Sequence, residues 1–168
     1  LKTKVGSGGL NEKVLEKAEA ILRSNTIDFV PAGLHYLGQL SEGIREVDQQ
    51  IASESQDSLD LHRYATDYLA YPAMQLKANG GMFHYEAITE TADILLRYLE
   101  SLKGINADAL EVVRGFERTF HVILTARLSG PPSSETRGLI QELEEVCQRF
   151  YRRNPGLLRE TEEAAEEF

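Results

Sequence analysis

Apolar residues recur at spacings of three, four and seven through most of the chain, the periodicity of helices with one buried face. The first stripe is Val30, Leu34, Leu37, Ile44, Val47 and Ile51, with Pro31 in the first turn, where its missing N–H costs nothing. A second helix is expected over Asp57–Asn79, with Leu61, Ala65, Leu69 and Leu76 inward. Pro72 predicts a bend or a helix start, and Gly80-Gly81 predicts the stop. Ile88, Ala92, Leu95, Leu99 and Leu102 mark a third helix over Tyr85–Lys103, ended by Gly104. Asn106 then caps a fourth over Ala107–Leu128, which buries Leu110, Val113, Phe116, Phe120, Ile123 and Leu124. After the loop Ser129-Gly-Pro-Pro-Ser-Ser134, a last stripe of Leu139, Leu143, Val146 and Phe150 ends at Asn154-Pro155-Gly156. A short helix over Leu10–Arg23 precedes all of these. No stretch alternates with period two, so no strands are expected. The fold class is all-α: an antiparallel four-helix bundle with additional N- and C-terminal helices.

Within the second helix, placing Leu76 inward puts Met74 about 200° away, towards solvent. Asp67, Ala70, Tyr71, Lys77, Ala78 and Gly81 share its side. One large apolar side chain flanked by small residues lets another backbone approach, and the lysine suits a partner carrying negative charge. The plain alternative is an ordinary boundary methionine.

The chain has 168 residues, enough for one core. The expected layout is a flexible lead-in over 1–9, a helical domain over 10–153 and an acidic tail or helix over 154–168. A start at Leu1 without methionine suggests a piece of a longer protein. The formal net charge of -9 argues against nucleic acid as partner. No apolar run approaches the roughly 20 residues of a membrane span, and no signal peptide is visible. The single cysteine, Cys147, forms no internal disulfide and sits on an apolar face, so a reducing, cytoplasmic setting is expected.

Catalytic signatures are missing. There is no phosphate loop, nucleotide fingerprint, nucleophile elbow or Glu-x-x-His pair. Of His35, His62, His84 and His121, none lies four residues from another, so no metal site is expected. Glu117 and His121, one turn apart, suggest a surface ion pair. Arg149, Arg152 and Arg153 complement a helix C-terminus. No cofactor and no intrinsic enzyme activity are expected.

Met74-Gln-Leu-Lys-Ala-Asn-Gly-Gly-Met-Phe-His84 resembles the signature of histidine-containing phosphotransfer domains. Leu76 and Lys77 fall on its aliphatic and lysine positions, Ala78, Gly80 and Gly81 on its small positions, and Phe83 on its apolar one. The similarity covers roughly 29–128. Two positions depart: Met74 stands where the phosphoacceptor histidine belongs, and His84 where the last glycine does. The resemblance implies a bundle that docks receiver domains of response regulators, or a histidine kinase, through Ala70, Tyr71, Met74, Gln75, Lys77, Ala78 and Gly81. A thioether has no nitrogen to phosphorylate, so the nucleophilic step is lost at that position. Two alternatives stay open: an active phosphotransfer protein using another histidine, and a helical dimerisation or structural module of a larger signalling protein.

Overall fold

The structure, a computed structural model, describes residues 28–53 and 58–159 together with residues 13, 14, 16, 17 and 20; the side chains of 58–67 lie outside that description. Five helices are described in full: α1 (Val30–Ser53), α2 (Ser58–Met82), α3 (Glu86–Ser101), α4 (Ala107–Thr125) and α5 (Ser134–Arg153), followed by a 3-10 turn over Pro155–Leu157. No strand occurs among the described residues. Of the helix expected over Leu10–Arg23, the described residues Lys13, Val14, Glu16, Lys17 and Ala20 are helical.

Helix α1 packs on α2 and α4, α2 on α3, and α3 on α4, so the four close a ring around one core. Their directions follow from the contacts at one end. Phe29, at the start of α1, stacks on Phe83 with ring centres 5.5 Å apart and packs on Tyr85 at 5.2 Å. Those two aromatics stand at the end of α2 and the start of α3. Asp28 pairs with Arg127, just past α4, at 3.0 Å. Neighbouring helices in the ring are therefore antiparallel. Helix α5 lies outside it, against α3 and α4. Tyr98 of α3 knits these three: its hydroxyl donates to the Ala109 carbonyl at 3.2 Å, and its ring packs on Phe116, Phe150 and Tyr151.

The cap expected at Asn106 is present, and two more helix starts are capped in the same way. Asn106 accepts from the Ala109 N–H at 2.8 Å and Ser133 from that of Thr136, as side-chain oxygens do at helix starts. Asp28 does the same for Val30. Beyond α5 the chain returns to the α3–α4 connection: Lys103 N–H donates to Leu157, and Arg159 donates to Ser101 and Leu102.

Four expectations need correction. Leu34 and Leu139 are not core: both are exposed, while Leu40, Ile140 and Cys147 take buried places. A helix-period stripe marks one side of a helix, but only the part covered by a neighbour is dry. Second, of the bend or helix start expected at Pro72 the start does not occur: the helix begins at Ser58, next to the expected Asp57, and runs through Pro72. Pro72 has no N–H to return to the Tyr68 carbonyl. That carbonyl lies against α1 at Gly43, where a Cβ would sit 2.8 Å from the oxygen. Third, α2 does not stop at Gly80-Gly81 but runs one residue further, to Met82; Gly80 serves the crossing of α3 and the chain reverses at His84. Fourth, Glu117 accepts a short hydrogen bond from Ser41 of α1. The carboxylate thus joins two helices where a pair with His121 along one helix was expected.

Candidate docking face

The face expected to bind a partner lies on the last three turns of α2. Leu69, Ala73 and Leu76 are fully buried. Their helical spacing turns Met74 outward, and its side chain is 54 % exposed. Around it Tyr71, Ala78 and Gly81 are exposed, while Ala70, Gln75 and Lys77 are half-buried. Asp67 falls among the side chains outside the description. The sequence-predicted positions therefore form one continuous surface.

Lys77 carries less free charge than its sequence position suggests. Its ammonium sits 2.5 Å from the Asp93 carboxylate of α3, and Arg97 reaches the same carboxylate at 3.2 Å. The Lys77 hydrogen bond holds the Asp93 carboxyl below its ordinary range, ahead of the opposing effect of burial. A partner's anion would compete with Asp93 for the lysine. Asn79 points back along the helix, donating to the Gln75 carbonyl at 2.8 Å.

The end of α2 explains the small residues in chemical detail. Tyr85 N–H donates to Gly80 and His84 N–H to Gly81, the paired bonds of a left-handed helix cap. The residue that such a cap holds at positive φ is His84, at 61°, a conformation in which glycine meets no Cβ penalty. The His84 carbonyl accepts from Gly130 N–H of the α4–α5 loop, which ties the turn down. The two glycines differ in use. A Cβ on Gly80 would come within 2.9 Å of the Ile88 side chain, so Gly80 is where α3 crosses closely. At Gly81 the nearest neighbour would be Thr89 at 3.5 Å, and the position is open to a partner.

Sequence reasoning missed a groove beside this face. It measures about 630 Å³ and runs between α1 and α2, lined by Leu34, Gly38, Tyr68, Tyr71 and Pro72, with His35, Gln39 and Glu42 along one edge. Tyr71 belongs to both surfaces. The available signal was Tyr68 and Tyr71 at i, i+3 opposite Leu34, but the partner helix and register were needed to join them. Among the described residues, no three His, Cys, Asp or Glu side chains gather as a metal would need, and no helix is long and apolar enough to cross a membrane. Compared with family models, curated proteins and solved structures, the chain shows no significant match.

Proposed function

We propose that this chain is a pseudo-phosphotransfer module: an antiparallel helical bundle of the histidine-containing phosphotransfer type that binds receiver domains of response regulators, or a histidine kinase, and carries no phosphate. The reading rests chiefly on Met74. The position that would hold the acceptor imidazole projects from an open helix face, with Tyr71, Ala78 and Gly81 exposed around it. Such a surface can accept a partner's backbone. Its sulfur cannot accept a phosphoryl group, because a thioether has no protonatable nitrogen and forms no phosphoramidate.

Two further features favour this reading. The turn after α2 needs a residue at positive φ at position 84, where the signature has glycine. Gly80 is needed for the α2–α3 crossing, as its small position in the signature would require. Full burial of a methionine side chain contributes about 1.5–3 kcal/mol; Met74 is 54 % exposed, so a partner covering the rest gains roughly half of that, out of about 8 kcal/mol for a micromolar interface.

The test is to phosphorylate candidate receiver domains, mix them with this chain and follow the label. The expected result is complex formation without transfer, weakened by Met74→Asp and converted to transfer by Met74→His. Acid-labile label on a histidine of the unaltered chain would overturn the proposal, and His62→Ala and His84→Ala variants would then identify the acceptor. Light scattering with and without Met74→Asp reads the competing outcome, a homodimer through the same face.

A further inference from the structure

The chain contains two methionines, and both stand on the outer surface of α2: Met74 is 54 % and Met82 71 % exposed. The buried core contains none; it is built from Leu, Ile, Val, Phe, Tyr, Ala and one Cys. Methionine ordinarily fills irregular gaps in cores, but here both side chains are more than half open to solvent and to reagents. Eight residues of helix place the two about 12 Å apart along the axis. Exposed Ala78 and Gly81 lie between them, and exposed Tyr71 stands one turn before Met74.

We propose that Met74 and Met82 form a paired oxidation site, at which a peroxide converts both thioethers to sulfoxides on the folded chain and turns the outer face of α2 from apolar to polar. In each event the sulfur lone pair attacks one peroxide oxygen. The S–O bond forms as the O–O bond breaks, and the departing oxygen leaves as water with both peroxide hydrogens. Sulfur loses two electrons and the peroxide gains them. The product is a strong hydrogen-bond acceptor in place of an apolar group, and sulfoxide reductases reverse the change.

The third sulfur of the chain does not compete. Cys147 is 4 % exposed on α5, and burial, reinforced by Glu144, pushes its thiol up to about 12. The thiolate that oxidants attack is therefore scarce at neutral pH. Modification is thus confined to the α2 surface. Loss of receiver docking on oxidation rests on the function proposed above; the oxidation site itself does not.

The experiment treats the full chain with hydrogen peroxide and reads peptide masses, thermal unfolding and retention on a phenyl column. The expected result is about 16 Da added at each methionine with Cys147 unmodified. The melting temperature should stay within about 2 °C. Elution should move earlier, the shift should vanish in Met74→Leu/Met82→Leu, and a methionine sulfoxide reductase should restore the original retention. Oxidation of either methionine only in denaturant, concurrent oxidation of Cys147, loss of folded signal with modification, or unchanged retention would each overturn the proposal. Receiver binding is measured first on the untreated chain. Its absence there would defeat the docking reading and leave the mass and retention results to decide this one.

Discussion

Adding one methyl group to each of two adjacent glycines should shift stability in opposite directions. Gly80 and Gly81 are both helical residues of α2, so alanine gains the same helix preference at either, about 1 kcal/mol. At Gly81 the new Cβ meets only Thr89 Oγ1 at 3.5 Å, an ordinary contact, and the gain should be kept. At Gly80 it meets Ile88 Cγ2 at 2.9 Å, Thr89 Oγ1 at 3.0 Å and Ile88 Cβ at 3.1 Å. Ile88 is fully buried, so relieving the contact means displacing its core neighbours or separating α2 from α3. Overpacking of this kind costs about 1–3 kcal/mol, which exceeds the helix gain and leaves Gly80→Ala destabilised by roughly 1 kcal/mol. For a chain of this size, about 1 kcal/mol corresponds to 2–4 °C. Thermal or urea unfolding followed by circular dichroism should therefore show Gly81→Ala above and Gly80→Ala below the parent. In Ile88→Ala, which removes the clashing methyl, adding Gly80→Ala should do less harm. Two alanine variants moving the same way, or an equal penalty in both Ile88 backgrounds, would show that the α2–α3 crossing does not depend on the glycine.

His84→Gly should stabilise by about 0.5–1 kcal/mol, the relief of a left-handed non-glycine residue less the added freedom of the unfolded chain; chemical denaturation measures it, and a loss of stability would mean that the imidazole makes an interaction worth more than that relief. Among the described residues Thr91 Oγ1 is buried without a hydrogen-bond partner, so Thr91→Val should raise stability by about 1 kcal/mol, and a fall of that size would reveal a partner for the hydroxyl. Asp93 has its folded pKa lowered by Lys77 from the ordinary 3.8; its contribution is present above that value and disappears as pH falls through the lower folded value. In Asp93→Asn, stability measured by denaturant titration should consequently fall less steeply below about pH 4 than in the parent, and superimposable acid profiles would contradict the pairing.

Much of the helix inventory could be read directly from residue spacing. The stripes of α3 and α4 became core without exception, because both helices are covered on a wide side: α3 by α2, α4 and α5, and α4 by α1, α3 and α5. The outward direction of Met74 followed from the inward direction of Leu76, since helical geometry fixes one from the other. Leu34 and Leu139 show the limit. Their spacing matches that of buried neighbours, but among the described residues no helix covers them.

The sequence by itself determined the all-helical class, most core positions and the small-residue face around Met74, because these depend on contacts within one helix turn. Tertiary structure alone decided that Lys77 meets Asp93 of the next helix, that Ser41 meets Glu117 across 76 residues, and that Leu34 and Tyr71 border one groove. It also gave the two glycines different tasks and put the left-handed residue at His84. Local periodicity fixes which way a side chain leaves its own helix; what it meets there depends on how neighbouring helices are placed.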